Sequence, residues 1–243
     1  MIEKTVGIIG GMGPAATVDL QRRIVEATPA TDDADHIRVL VDNNPKVPSR
    51  IAALIDGDGE SPVPCMISMA QGLIVAGAEL LAIPCNTAHY YFDEVADAVD
   101  APIINLIEIC RQHFLNLDSS PIMIGLLAST AVQRVDLYGP SFAEEGLQTL
   151  FPMDDQQAQL MQLIRSIKAG DKNPDLHAAF SAAANNLVEQ GAQALLIACT
   201  ELSILADKGV GQEPSPSLNQ EVAIFDAAQL LAEKIVSSAR KAE

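Results

Sequence analysis

The segment GAELLAIPC, residues 77–85, combines a glycine, an apolar run and a cysteine, and it has a close counterpart later in the chain. In the segment GAQALLIAC, residues 191–199, glycine, alanine, leucine, isoleucine and cysteine stand at the same offsets without a gap. Before these segments, VGIIGGMG from Val6 is matched by IGLLASTA from Ile124. After them, APIINLIEIC from Ala101 is matched by VAIFDAAQLL from Val222. Three matched pairs in the same order predict a duplicated unit.

Apolar runs typical of buried strands alternate along the chain with patterns typical of helices, and this alternation predicts parallel α/β sheets. With the duplication, it predicts two similar α/β lobes related by a pseudo-twofold axis, with a site in the cleft between them. Strands are predicted at Val6–Ile9, Ile37–Val41, Leu80–Ile83, Ile103–Leu106, Ile122–Leu127, Leu195–Ala198 and Val222–Phe225, and helices at Ala15–Ala27, Ser61–Ala76, Gln156–Lys168 and Leu176–Gln190. Asn105 and Asp226 are predicted helix N-caps.

The repeat also predicts the division of the chain into lobes. The first lobe is predicted to comprise residues 1–106, completed by the C-terminal segment 219–243. The second lobe is predicted to comprise residues 107–218.

Composition and charge disfavour several classes of protein. The chain has 243 residues, of which 49% are hydrophobic, and a net charge of −17. No apolar run reaches the roughly 18 residues that a membrane span needs, and no basic-then-apolar leader precedes the first predicted strand. An acidic surface disfavours nucleic acid, whose phosphates require basic side chains. We therefore expect a cytoplasmic protein that binds neither membrane nor nucleic acid. We also expect a homodimer.

Two of the four cysteines occupy matching positions in the repeat. Cys65 and Cys110 lie in apolar helical patterns and are interpreted as small buried hydrophobic residues. Because no C-x-x-C pair is present, neither a structural zinc site nor a redox pair is expected. Cys85 and Cys199 each follow an apolar strand and precede a helix start. Ligands bind at this end of parallel strands, and a helix N-terminus there lowers the pKa of a thiol.

Two thiols on opposite walls of one cleft can invert a stereocentre. One thiolate removes a proton from one face while the other thiol supplies a proton to the opposite face, and the roles reverse with the direction of the reaction. The planar carbanion between them needs N–H donors for its carboxylate, which the turns after the two cysteines would supply.

At these motifs the sequence resembles the aspartate/glutamate racemase family, the amino-acid racemases that need no pyridoxal phosphate. The resemblance covers essentially the whole chain and rests on the segments GGMGPAAT (10–17), DADHIRVLVDNNPKVPSR (33–50), GAELLAIPCNTAH (77–89), IKAG (167–170) and GAQALLIACTELS (191–203). It implies a racemase of aspartate or glutamate that uses no cofactor and no metal, with Cys85 and Cys199 as the acid/base thiols. It does not imply which acid is preferred or which cysteine acts on which enantiomer.

The same resemblance implies a set of substrate-binding residues. Asn86, Thr87 and Thr200 would bind the α-carboxylate, and Arg50 and Lys168 match the family's cations for the side-chain carboxylate. The full set is Met12, Gly13, Arg50, Asn86, Thr87, Lys168 and Thr200. Outside this set, His36 and His89 are interpreted as structural residues or as partners of site residues. Glu201 is interpreted either as a partner of a thiol or as a residue that favours a helix N-terminus.

Two features leave other functions open. Gly11, Gly13 and Ala16 fit the dinucleotide fingerprint, so a nucleotide- or metabolite-binding protein is an alternative. That fingerprint expects an acidic residue about 20 residues later, and Asp42 lies farther away, which favours a small amino acid as the ligand. Ala131 and Val132 stand where many relatives carry Gly-Thr. A maleate isomerase-like or other enzyme of the same superfamily is therefore a further alternative.

Overall fold

The computed structural model describes residues 3–118, 121–170, 176–206 and 222–240. These residues form two compact units. One contains the described residues up to Ile109 together with those from Ala228 onward, and the other contains those within Cys110–Ala227. The boundary at Ile109 therefore falls inside a helix.

Short strands alternate with helices through both units. The strands are β1 (Val6–Gly10), β2 (Val39–Asn43), β3 (Leu80–Ala82), β4 (Met123–Ala128), β5 (Gln148–Leu150), β6 (Ala194–Ala198) and β7 (Ala223–Asp226). The α-helices are α1 (Pro14–Ala27), α2 (Val63–Val75), α3 (Phe92–Ala96), α4 (Leu106–Leu115), α5 (Thr130–Arg134), α6 (Gly139–Ala143), α7 (Asp154–Lys168), α8 (Leu176–Glu189), α9 (Thr200–Ala206) and α10 (Ala227–Ala239). A π-helical turn at Ala52–Asp56 and 3-10 turns at Asp33–Asp35 and Thr87–Tyr91 complete the described elements.

Each unit is built on a parallel sheet. In the first unit the strand order is β2-β1-β3, and in the second it is β5-β4-β6-β7. The central strands β1 and β6 are buried along their whole length, as expected for strands covered on both faces. The predicted α/β class with two parallel sheets is therefore confirmed.

The duplication is visible in how a strand glycine packs in each unit. A Cβ added at Gly7 would lie 2.7 Å from Leu81 and 2.9 Å from Ala78. A Cβ added at Gly125 would lie 2.6 Å from Leu195 and 3.1 Å from Ala192. The leucines and alanines occupy matching offsets in GAELLAIPC and GAQALLIAC. The repeated glycine thus allows the same close approach of a strand and its neighbouring segment in both units.

The turns that lead into β3 and β6 also match. Gly77 and Gly191 follow α2 and α8 with φ of 103° and 98°, a left-handed conformation that glycine adopts without strain. The next residue, Ala78 or Ala192, donates its N–H to the carbonyl of Leu73 or Leu187. This pattern ends a helix by satisfying its last carbonyls, and it aims each chain into its strand.

Two strands differ from the sequence predictions, whereas a predicted helix cap is confirmed. Strand β5 was not predicted, because its three residues Gln148–Leu150 are too short and too exposed to form an apolar run. In the predicted strand Ile103–Leu106, only Ile103 forms a bridge, to Leu81, because α4 begins at Leu106. Asn105 caps that helix as predicted, with Oδ1 accepting the N–H groups of Ile107 at 3.0 Å and Glu108 at 3.2 Å.

The C-terminal segment 219–243 was predicted to belong to the first lobe, but its strand β7 belongs to the second sheet. Strand β7 pairs with β6, with Ala223 beside Ala194 and Asp226 beside Ile197. The apolar residues of this strand complete the second sheet, and only the residues from Ala228 onward belong to the first unit. Residues 219–221 lie outside the described residues.

We expect Gly125→Ala to lower the free energy of unfolding by about 1–3 kcal/mol, because its new methyl group overlaps Leu195 in a packed interior. The measurement is urea unfolding followed by circular dichroism. Gly72→Ala is the matched control, since Gly72 lies on an exposed face of α2 where an added Cβ has no neighbour within 4 Å. The control should raise stability by about 0.5–1 kcal/mol. Equal effects in the two variants would contradict the packing argument.

Candidate active site

Cys85 lies at the carboxyl end of β3, two residues after Ile83, and only 6% of it is exposed. Its N–H donates to the carbonyl of Ile83 at 2.9 Å, which closes a tight turn directly after the strand. Asn86, which is buried, and Thr87, which begins a 3-10 turn, follow immediately. The turn thus places the thiol and the polar residues of the predicted carboxylate site at the sheet edge where ligands bind in parallel α/β folds.

His89 holds this turn in place. Its Nε2 accepts the N–H of Leu106 at 3.1 Å, so its Nδ1 carries the proton and donates to the carbonyl of Cys85 at 2.9 Å. Burial lowers the pKa of His89 to about 4, and the ring is therefore neutral at neutral pH. The imidazole links the Cys85 turn to the start of α4. This geometry supports the interpretation of His89 as a structural partner of a site residue.

The loop of the dinucleotide-like motif is packed by its own chain. Gly11 has a φ of 88°, and an added Cβ there would overlap the backbone of Asn44. The hydroxyl of Thr17 accepts the N–H of Gly11 at 2.9 Å and donates to the carbonyl of Gly13 at 3.0 Å. Internal packing thus accounts for Gly11 without a bound phosphate. Gly13 is the N-cap of α1, and Met12 is almost fully buried.

Arg50 is anchored on backbone carbonyls in the same region of the first unit. Its Nη1 donates to the carbonyls of Val47 at 3.2 Å and Pro48 at 2.7 Å, and its Nη2 lies 3.5 Å from the carbonyl of Met12. Its Nε is buried with no hydrogen-bond partner. Met12, Val47 and Cys85 belong to one contiguous apolar cluster. The guanidinium therefore lies at the edge of the cluster that contains the first thiol.

The charge of Arg50 acts on Tyr91, which lies in the segment after Cys85. Burial raises the pKa of Tyr91, neighbouring Tyr90 and Glu94 raise it further, and the charge of Arg50 opposes the rise. Because Tyr91 ends the 3-10 turn that follows Cys85, the charge of Arg50 acts on this turn.

Cys199 occupies the matching position in the second unit. It follows β6, only 6% of it is exposed, and α9 begins at the next residue, Thr200, which is also buried. The thiol donates to Oε2 of Glu201 at 3.3 Å. The other carboxylate oxygen, Oε1, lies 3.5 Å from Nζ of Lys168 at the end of α7. Cys199, Glu201 and Lys168 thus form a connected chain of three side chains.

The surroundings of Cys199 favour the neutral thiol. Burial raises its pKa well above the ordinary value, and the carboxylate of Glu201 raises it further. The ammonium group of Lys168 opposes this effect but does not outweigh it. Cys199 is therefore protonated at neutral pH.

The remaining two cysteines are also free thiols, in different surroundings. Cys65 is half-buried and accepts a hydrogen bond from Nδ2 of Asn44 at 3.5 Å. Cys110 is fully buried, and burial raises its pKa to about 12, although a hydrogen bond with Tyr138 lowers it. Burial likewise raises the pKa of Tyr138. The positions of Cys65 and Cys110 agree with their interpretation as packing residues.

Ala131 and Val132 are both buried in α5. The hydroxyl of Ser129, directly before that helix, accepts the N–H of Val132 at 3.4 Å. A hydroxyl group is therefore present close to this position, and it acts as a helix cap.

The predicted site residues are divided between the two units. Met12, Gly13, Arg50, Cys85, Asn86 and Thr87 belong to the first unit, and Lys168, Cys199 and Thr200 belong to the second. The sequence did not reveal that Lys168 pairs with Glu201. The sequence signal of this pair was the acidic residue two positions after Cys199.

Among the described residues, no group of three or more His, Cys, Asp or Glu side chains could hold a metal ion. No helix in the described part of the chain is long and apolar enough to span a membrane.

Comparison with known proteins gives a consistent result. The model of the family described as Asp/Glu/Hydantoin racemase matches residues 9–235. The chain is 24% identical over 237 residues to the broad specificity amino-acid racemase RacX of Bacillus subtilis (strain 168), covering 96% of this chain and 97% of that protein.

Solved structures show the same fold. The aspartate racemase of Picrophilus torridus superposes with a TM-score of 0.79 at 28% identity, covering 97% of this chain and 94% of that one. The glutamate racemase of Francisella tularensis subsp. tularensis SCHU S4, in complex with D-glutamate, superposes with a TM-score of 0.65 at 16% identity, covering 98% and 81%. With a family model that matches nearly its whole length, the chain belongs to the Asp/Glu/Hydantoin racemase family.

Proposed function

We propose that the protein is a cofactor-independent racemase of an acidic amino acid, aspartate or glutamate, in which Cys85 and Cys199 act on opposite faces of the α-carbon. One observation carries the proposal. Each unit has a free, buried cysteine within three residues of the end of the matching strand of its sheet, followed by polar residues and a helical turn. A pair of thiols at equivalent positions is suited to a reaction whose two directions are chemically equivalent.

The proposed reaction begins with Cys199 protonated, as its surroundings favour. The thiolate of Cys85 removes the α-proton from one enantiomer, and Cys199 delivers its own proton to the opposite face. The other enantiomer reacts from the form in which the two protonation states are exchanged. Backbone N–H groups, the side-chain amide of Asn86 and the hydroxyls of Thr87 and Thr200 would stabilise the carboxylate of the planar intermediate. The burial of both thiols supports this assignment, because such interactions are stronger away from water.

Arg50 is proposed to bind the substrate's second carboxylate. Its Nη1 is committed to two backbone carbonyls, which fix the plane of the guanidinium, while its Nε has no hydrogen-bond partner. An unpaired buried donor costs about 1–3 kcal/mol, and a carboxylate bound along the Nε–Nη2 edge would remove this cost. Lys168 is proposed as a supporting cation, although it would share its charge between the substrate and Glu201.

The named relatives favour racemisation over the alternative reactions. The Picrophilus torridus protein is an aspartate racemase, and RacX is a broad specificity amino-acid racemase. Internal packing of Gly11 against Asn44 also weakens the case for a phosphate-binding loop. These observations make amino-acid racemisation the better-supported reaction.

The proposal is tested by incubating the protein with each enantiomer of aspartate and of glutamate in deuterium oxide without added cofactor. We expect deuterium at the α-carbon and formation of the opposite enantiomer, measured by proton NMR and chiral chromatography. Prior dialysis against a chelator or treatment with a carbonyl-trapping reagent should leave the rate unchanged. Absence of exchange for all four substrates would refute the proposal, and loss of activity after either treatment would refute cofactor independence.

A further inference from the structure

Glu201 is not needed by the two-thiol reaction as written above, yet it is buried and contacts one of the thiols. We propose that Glu201 is a positioning residue that holds the proton of Cys199, and that Lys168 pairs with the Glu201 carboxylate and moderates its effect on the thiol. The catalytic meaning of this inference rests on the proposed function. The coupling among the three side chains does not, and it can be measured separately.

The two oxygens of the Glu201 carboxylate have different partners. Oε2 faces the Cys199 sulfur at 3.3 Å, and Oε1 faces the Lys168 nitrogen at 3.5 Å. The Glu201 side chain is only 7% exposed, whereas that of Lys168 is 38% exposed. A buried carboxylate is stable only where partners compensate for lost hydration. Lys168 is the cation that compensates for part of the lost hydration of Glu201.

The carboxylate determines where the proton lies. An ionised carboxylate only accepts hydrogen bonds, so the proton between Glu201 and Cys199 is carried by sulfur. A thiolate at this distance would put two negative charges side by side in a region with little water. The thiol and the carboxylate therefore share one proton, which resides on sulfur.

Three further titratable groups, Tyr138, Cys110 and Asp226, belong to the surroundings of Cys199. Tyr138 is electrostatically coupled to Cys199, and burial keeps its phenol protonated. Cys110 and Asp226 act on Tyr138, and Asp226 accepts the hydroxyl of Ser203 at 2.7 Å. Glu201 and Lys168 are thus the charged side chains that act directly on Cys199.

The consequence is a built-in bias in the free enzyme. Cys199 is held ready as the proton donor, with its S–H directed at Glu201 until a carbanion competes for it. For racemisation in the opposite direction, Cys199 must first lose its proton. The Glu201 carboxylate is close enough to accept it. Proton transfer from sulfur to Oε2 would give a thiolate beside a neutral acid, with Lys168 stabilising the new negative charge.

The test is a titration of the Cys199 thiolate by its ultraviolet absorbance in Glu201→Gln and in Lys168→Gln. From each spectrum, that of the same protein carrying Cys199→Ser is subtracted, so that the absorbance of the other thiols and of the tyrosines cancels. Removal of the carboxylate charge should lower the midpoint by about one to three pH units, because an anion disfavours the thiolate. Removal of the lysine charge should raise the midpoint by a smaller amount, because Lys168 is partly exposed.

Matched controls separate this coupling from general effects of charge. Glu189→Gln and Arg165→Gln make the same charge changes at exposed positions of α8 and α7, and they should leave the midpoint unchanged. Because Lys168 lies near the surface, Lys168→Gln should remain folded even if Glu201→Gln does not. An unchanged midpoint in Lys168→Gln, or shifts of the same sign in both variants, would overturn the inference.

Racemase assays distinguish this inference from the proposed function. If the wild-type protein racemises, the limb of its pH–rate profile that reports Cys199 should move with the titration midpoint in each variant. If the midpoints shift as expected but the wild type never exchanges an α-proton, the coupling stands and the proposed function fails. If racemisation occurs with a profile that neither variant moves, the inference fails and the proposed function stands.

Discussion

Cys85→Ser and Cys199→Ser should each nearly abolish racemisation, with losses of at least about 10²–10⁴-fold in kcat/KM. A serine hydroxyl does not ionise near neutral pH, so it cannot serve as the base that a thiolate provides. Loss of one thiol stops both directions, because every turnover needs a base on one face and an acid on the other. The measurement is the rate of enantiomer interconversion at saturating and limiting substrate.

The residual chemistry of the two variants gives a sharper test. Each single variant keeps one thiol on one face of the substrate, so slow α-deuterium exchange should survive for one enantiomer only. The two variants should select opposite enantiomers. Exchange of the same enantiomer in both variants, or full racemase activity in either one, would refute the two-thiol mechanism.

Cys65 and Cys110 provide matched controls. Cys65→Ser should retain wild-type activity, because Cys65 is half-buried at the edge of the apolar cluster and its thiol accepts a long hydrogen bond from Asn44. Cys110→Ser should retain activity per folded molecule, although its stability must be measured separately because the thiol is fully buried. Together these variants show whether removal of any thiol is harmful or only removal of those that follow β3 and β6.

Arg50→Ala should lower kcat/KM for aspartate or glutamate by about ten- to a hundred-fold. A charge-assisted hydrogen bond contributes about 1.5–3 kcal/mol, which corresponds to that range. Arg50→Lys should restore activity only in part, because an ammonium group cannot present two parallel donors to a carboxylate. The measurement is kcat/KM in the wild type and the two variants.

Two comparisons show whether Arg50 acts on the substrate. Arg38→Ala makes the same change in net charge at an exposed position of the first unit, and it should have little effect. Alanine has no second carboxylate, so its α-deuterium exchange should be slow in the wild type and nearly unchanged in Arg50→Ala. Equal losses for aspartate and alanine would assign Arg50 to the structure of the loop, where it supports three carbonyls.

Most of the fold could be predicted because its signals are local. Buried strands such as β1 and β6 are continuous apolar runs in the sequence, and a glycine marks each of the turns before β3 and β6. Strand β5 could not be predicted, because its few residues contain no apolar period and its pairing partner is distant in the sequence. The sheet to which β7 belongs was misjudged for the same reason, since strand pairing depends on long-range contacts.

The candidate site divides in the same way. The repeat singled out Cys85 and Cys199, because duplicated segments carry equivalent residues to equivalent strand ends. It could not show that Asn44 closes over Gly11, or that His89 ties the Cys85 turn to α4. These contacts join segments whose separation in the sequence carries no information about their distance in space.

The sequence by itself determined the two parallel sheets, the duplication and the pair of matched cysteines, because periodicity and repeated spacing are properties of the chain. Only the tertiary structure decided the protonation of Cys199 and the partner of Lys168. A pKa depends on burial and on charges within a few ångströms, and both arise only when α7 packs near α9. Lysine at the end of one helix and glutamate at the start of another are ordinary surface residues until folding buries the carboxylate between a thiol and an ammonium group.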